Sequence, residues 1–186
     1  MGHTIISSDK EAAETAANII LMGGLVVLPT DTTYGIACDA QNEQAIQNLK
    51  VLKGREDDRF TLIAASQEQV QKYFHLSPKQ SLVASQQWPG PVSIVVNDRF
   101  SVRVPRNVLC IAIAEAVGHP IIATSANKTG EKTPLTIGEV KEQLGEDMIE
   151  LWIDGGALLE QQPSVVVRVT TTGVEVLREG LVSIFE

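Results

Sequence analysis

Three cations crowd into LKGREDDRF (52–60): Lys53, Arg55 and Arg59. Lysine offers phosphate a mobile point charge and arginine a planar fork of donors. At the end of a helix the same charges would simply offset the carbonyl end of the dipole, and Asp57 and Asp58 would neutralise them in part. Two other runs bring uncharged donors. PTDTTYG (29–35) follows apolar LVVL and SANKTG (125–130) follows PIIAT, so each gathers small hydroxyl or amide side chains at the end of an apolar stretch. Such residues also satisfy their own turns, and neither run alone specifies a site. Arg103 lies between valines in VRVP (102–105). Strand alternation aims it away from them, either to solvent or inward as a carboxylate clamp.

Several chemistries have no support in the sequence. It holds neither the GxxxxGK[ST] nor the GxGxxG phosphate cradle, and it lacks the GxSxG nucleophile elbow. His3, His75 and His119 are scattered, and Cys38 and Cys110 form no CxxC, so the pattern proposes no protein metal site and two buried thiols. A net charge of −8 disfavours unspecific binding to a phosphate backbone over the whole surface. Any nucleotide must therefore meet a local basic patch.

The elements that must position these residues follow from capping and periodicity. Ser8/Glu11, Ser66/Gln69, Ser77/Gln80 and Thr136/Glu139 carry the capping-box spacing and mark four helix starts, the third with Pro78 at its first position. The first helix presents Ala12, Ala13, Ala16, Ala17 and Ile20 on one stripe and stops at Gly23-Gly24. Helical spacing also predicts helices near 42–53 and 107–117, the latter ended by Gly118. Strands are predicted at LVVL (25–28), FTLIA (60–64), VSIVV (92–96), PIIAT (120–124), LWI (151–153), SVVVRV (164–169) and VEVL (174–177). This order implies an α/β domain whose sheet mixes parallel and antiparallel pairs. Both polar runs then lie at strand ends, where open α/β sheets hold ligands.

At 186 residues, 44% hydrophobic and 20% charged, the chain suits one globular domain. No apolar run approaches the ~20 residues that span a bilayer, and the start, MGHTIISSDKEAAE, has neither a basic lead nor an apolar signal core. A cytoplasmic protein without membrane contact is expected.

In order, PTDTTYG, LKGR, WPGPVS, VRVP, TSAN, PSVVV and REG (178–180) resemble the YrdC/Sua5/YciO family, over residues 5 to the C-terminus. The resemblance implies one YrdC-like domain over 1–186: an open twisted mixed sheet with helices packed on it and a concave basic surface. It also implies an L-threonylcarbamoyladenylate synthase, a nucleotidyltransferase. L-threonine and bicarbonate or CO2 form a carbamate that attacks the α-phosphate of ATP, and the product passes to partner proteins that modify adenosine 37 of tRNA.

By the same resemblance, Lys53, Arg55, Ser125 and Asn127 hold the ATP phosphates and carry catalysis, with Arg178 beside the nucleotide. Threonine meets Thr30, Thr32, Arg103, Thr124 and Ser164. Mg²⁺ is expected to arrive mainly on the ATP phosphates. The chain departs from the family pattern at Glu56-Asp57-Asp58, where acid stands beside the phosphate residues. Phe60-Thr61-Leu62 is similar to the YciO branch. A divergent YciO-like role, an RNA-binding module that contacts tRNA or duplex RNA, and a plain interaction domain are the alternative readings. Residues 128–134 are a candidate lid.

Overall fold

The computed structural model describes residues 2–9 and 11–182. Ten strands form one mixed sheet in the order β1-β8-β2-β3-β7-β4-β6-β5-β9-β10. In chain order these are β1 (His3–Ile6), β2 (Val26–Pro29), β3 (Tyr34–Cys38), β4 (Phe60–Ile63), β5 (Val92–Val95), β6 (Phe100–Arg103), β7 (Ile121–Ser125), β8 (Leu151–Asp154), β9 (Val165–Val169) and β10 (Val174–Arg178). The helices are α1 (Ala12–Leu21), α2 (Glu43–Lys53), α3 (Gln67–Tyr73), α4 (Pro78–Gln87), α5 (Val108–Val117) and α6 (Ile137–Leu144).

Caps set most helix ends. Ser77 with Gln80 and Thr136 with Glu139 form reciprocal capping boxes at α4 and α6. Ser66 accepts from the Gln69 N–H, but the Gln69 side chain accepts from Ala65 N instead of returning to the cap. The Ser8/Glu11 expectation is overturned. α1 begins at Ala12 behind Glu11, with no side-chain cap, and Asp9 accepts from Ile6 N. α2 is capped by Asn42, whose side chain accepts from Gln44 and Ala45 N–H, and ends at Gly54 with φ 60°. That left-handed conformation suits glycine.

The two faces of the sheet follow from strand alternation. One face carries Val27, Tyr34, Ile36, Leu62, Val102, Ile94, Trp152 and Val165 and packs against α2, α3, α4 and α6 through Ile46, Leu49, Val70, Ala84 and Val140. The opposite face divides. Val26, Leu28, Ala37, Ile63, Ile121, Leu151 and Ile153 lie under α1 and α5, against Ala16, Ala17, Ile20, Ile113 and Ala114. Further along the same face, Gly35, Thr61, Ser101, Arg103, Ala123, Val95, Val166 and Arg168 line an open cavity instead. The helices cover half of one face and leave the other half concave.

Three strands were not foreseen. β1 is exposed at three of its four positions and shows no apolar alternation. β3 begins inside PTDTTYG and is buried throughout, and β6 ends at the Arg103 of VRVP. PTDTTYG consequently does not leave the sheet: only Thr30 to Thr33 form the tip of an antiparallel β2–β3 hairpin, closed by Thr30 N–H to Thr33 O at 3.0 Å.

Candidate active site

The cavity on the open half is about 790 Å³, within the ~300–1,000 Å³ typical of small-molecule sites. Six arginines (Arg55, Arg59, Arg99, Arg103, Arg168 and Arg178) and two aspartates (Asp57 and Asp98) line it. The formal surplus of four positive charges stands in a chain of net charge −8 with seven arginines in all. This is the local basic patch that the overall charge required, and it is built of arginine; among the described residues no lysine lines it.

Eight of the ten residues singled out from the sequence line this one space: Thr30, Thr32, Arg55, Arg103, Thr124, Ser125, Ser164 and Arg178. They come from the β2–β3 tip, the end of α2, β6, β7, the start of β9 and β10. Parallel pairing of β4 with β6 sets Thr61 opposite Ser101, whose hydroxyls lie 3.0 Å apart on the cavity floor. Antiparallel pairing of β3 with β7 sets Gly35 opposite Ser125. A Cβ at Gly35 would approach Thr30 Cγ2 to 3.1 Å and Thr124 O to 3.3 Å, so the bare glycine keeps the hairpin close to β7.

Lys53 and Asn127 lie behind the lining. Lys53 is 4% exposed, and its ammonium donates to the backbone carbonyls of Ser125 and Asn127, the latter at 2.6 Å. Burial, followed by the charge of Arg55, lowers its pKa to about 8. The ammonium thus ties the end of α2 to the turn after β7, and Thr129 N–H returns to Lys53 O at 3.0 Å. The Asn127 amide donates to Lys128 O at 2.8 Å and to Glu131 O at 2.9 Å, anchoring the exposed 128–131 stretch. Of the candidate lid 128–134, Thr133 lines the cavity.

Arg55 folds back onto its own loop. It pairs with Asp57 at 2.8 Å, donates to Arg59 O, and lies 4.8 Å over the Phe60 ring. Asp57 in turn is held below the usual carboxylate range, first by the Arg55 hydrogen bond. Asp58 pairs with Lys50 at 2.6 Å. Two of the three unexpected acids, Asp57 and Asp58, therefore each have a cation, and Arg59 takes part in the loop through its backbone.

On the other side, Arg178 donates to Ser164 O at 3.0 and 2.8 Å and to Ser164 Oγ at 2.9 Å. Its pKa is lowered, first by burial and then by the nearby Arg103 charge. Arg103 is 5% exposed and faces inward, which decides between the two orientations left open by the sequence. It pairs with Asp31 at 2.8 Å. The Thr30 hydroxyl donates to Thr33 O at 2.8 Å and accepts from the Thr32 and Thr33 N–H groups, so it stabilises the hairpin tip as well as facing the cavity.

The family model described as "Telomere recombination", that of the Sua5/YciO/YrdC domain, matches residues 18–180. The chain belongs to this family. A threonylcarbamoyl-AMP synthase of Klebsiella pneumoniae is 34% identical over 92% of this chain and 97% of its own length, and one of Vibrio parahaemolyticus is 31% identical over 90% and 98%. Sua5 of P. abyssi in complex with L-threonine superposes with TM-score 0.85 at 28% identity, covering 97% of this chain. This chain spans 57% of that Sua5 chain. YciO of E. coli superposes with TM-score 0.85 at 25% identity over 97% of both chains. The open mixed sheet with helices packed on it is thus the family fold.

The sequence reading missed Asp31, Thr61, Ser101, Arg99 and Arg168 as contributors to the site. Ser101 and Arg168 alternate with core valines, and that signal was available once β6 and β9 were placed with their inward faces. Cys38 and Cys110 are buried free thiols, each pushed up to about 12 chiefly by burial, which keeps them in the inert thiol form. Among the described residues no three His, Cys, Asp or Glu side chains converge as metal ligands, and no helix is long and apolar enough to cross a membrane.

Proposed function

We propose that the chain is an L-threonylcarbamoyladenylate synthase, a nucleotidyltransferase that joins L-threonine, bicarbonate or CO2, and ATP. The observation that carries this reading is the arginine-lined cavity, in which hydroxyl-rich and cationic residues from six separate elements meet. The curated relatives named as synthases match over nearly their full length, which favours this role over a divergent YciO-like one. Residues 1–186 would act as one YrdC-like unit.

The reaction proceeds in two steps. The threonine amine adds to CO2 and loses a proton, giving a carbamate; from bicarbonate, water is also released. A carbamate oxygen then forms a bond to the α-phosphorus of ATP while the α–β bridging bond breaks, expelling pyrophosphate. Neither step requires a covalent enzyme nucleophile, so positioning and charge neutralisation carry the catalysis.

In this reading Arg55 and Ser125 meet the phosphates, with Arg178 beside the nucleotide. Lys53 and Asn127 complete the phosphate side, holding the turn that presents Ser125. Thr30, Thr32, Thr124 and Ser164 supply hydroxyl contacts to threonine, and Arg103 receives its carboxylate. Mg²⁺ travels with the triphosphate. The product, a mixed anhydride, passes to tRNA-modifying proteins in the cytoplasm.

The test is pyrophosphate release from ATP. Release should require threonine and bicarbonate together. Equal rates with serine, or without an amino acid, would contradict the substrate assignment.

A further inference from the structure

The tip of the β2–β3 hairpin divides its side chains. Thr30 and Thr32 line the cavity, whereas Asp31 between them does not. Its carboxylate instead meets Arg103, the guanidinium that does line the cavity, with Oδ1 2.8 Å from Nη1 and side-chain exposures of 14% and 6%. Those two buried atoms have no aligned hydrogen-bond partner among the described residues, so the contact is one of charge. The other Asp31 oxygen accepts from Arg106 N–H at 3.4 Å, which relates the hairpin tip to the chain just after β6.

Charge explains why this carboxylate has to be present. The positive charge of Arg103 opposes that of Arg178, whose pKa it lowers after burial does, and Arg103 itself is withdrawn from water at 5% exposure. A buried arginine beside another, without a counterion, would turn toward solvent or toward any acid in reach. Placed in the lining, Asp31 would repel an anionic ligand. Set outside the lining, it offsets Arg103 while leaving other N–H donors of the guanidinium for the cavity.

We propose that Asp31 is a positioning residue of the amino-acid subsite: it fixes Arg103 in the one orientation that presents its fork to the substrate carboxylate. This rests on the synthase reading, with Arg103 as the carboxylate clamp. Asp31 touches no reacting atom, so its effect must pass through Arg103.

The full chain is compared with Asp31→Asn, Arg103→Met and the double variant. Threonine binding is measured by calorimetry, and kcat and both KM values by pyrophosphate release. Asp31→Asn is expected to weaken threonine binding and raise its KM at least about tenfold, while kcat and the KM for ATP stay within about threefold. In the Arg103→Met background the same change should add less than about twofold, because two residues acting through one contact do not add. Should Asp31→Asn not fold, Asp31→Glu keeps the charge on a longer arm and is expected to show the same split at smaller size.

Full multiplication of the two single effects, or equal losses in threonine and ATP parameters, would overturn the role of Asp31. An unaltered chain that binds threonine, with Asp31→Asn binding it equally well, would overturn that role alone. An unaltered chain that binds no threonine would overturn this role and the synthase reading together.

Discussion

Two halves of one sheet face are built from the same strands and do opposite things. On β3, Ala37 lies under the helices and Gly35, two residues away, lines the cavity. Ile63 and Thr61 divide β4 in the same way, and Ile121 and Ser125 divide β7. Where α1 and α5 cover the sheet, the inward positions are aliphatic and dry. Where no helix covers it, they are mostly glycine, alanine, hydroxyls and arginine, with Val95 and Val166 on the far strands. Aliphatic packing is thus concentrated in one half and polar and cationic side chains in the other, although a strand crosses the border in a single step of alternation. The open half retains its shape because its opposite face is a full core resting on α2, α3, α4 and α6.

The largest effect expected from breaking this division lies on the open half. Arg55→Ala should lower threonine-dependent turnover roughly a hundred- to a thousandfold, as the loss of an aligned electrostatic contact in a transition state does. It should change stability by less than about 1 kcal/mol, since its ion pair with Asp57 is partly exposed. Paired kinetic and denaturant measurements check both.

Ile113→Ala, on the buried side of α5 over the covered half, should do the reverse. The side chain is wholly buried, and truncation should cost about 2–5 kcal/mol. At temperatures where the variant remains folded, kcat/KM should change less than about threefold. A large kinetic loss with no melting shift would erase the distinction between the halves.

An intermediate effect comes from Lys53, which joins the site to the core. Burial depresses its pKa to about 8 from 10.5. The folded protein therefore releases this proton before the unfolded chain does, and the Lys53 contribution to stability rises with pH between those two values. Activity should move the other way, falling above about pH 8 as the ammonium that holds the Ser125 and Asn127 carbonyls loses its charge. Lys53→Arg should move that alkaline limb upward, and a pH–rate profile run beside pH-dependent denaturation shows whether the two trends oppose each other.

The smallest effect should come from Asp57→Asn. It removes the carboxylate that occupies Arg55 and should lower the KM for ATP a fewfold, with little change in kcat, as read from initial rates at varied ATP.

Much of this was legible in the sequence, and the parts that were not share causes. Ser66, Ser77, Thr136 and Gly118 announced helix ends because capping is local chemistry. β3 was hidden because YGIAC is buried at every position and shows no alternation of polar and apolar residues. Ser8 with Glu11 misled because the spacing was right while the chain at Ser8 belongs to a turn before α1. Within the site, Arg55, Arg103 and Arg178 were found as motif members. The burial of Lys53 behind the turn, and the pairing of Asp31 at the hairpin tip with Arg103 at the end of β6, depend on distant backbone that no local spacing encodes.

The central claim is that the open half brings ATP and a threonine carbamate together. It is tested most directly by incubating the chain with ATP, L-threonine and ¹³C-bicarbonate and examining the nucleotides by mass spectrometry. The account predicts an adenylate carrying threonine and one ¹³C, formed in step with pyrophosphate and lost in Arg55→Ala. Folded chain that yields only unmodified ATP, or AMP without the labelled carbon, would contradict it.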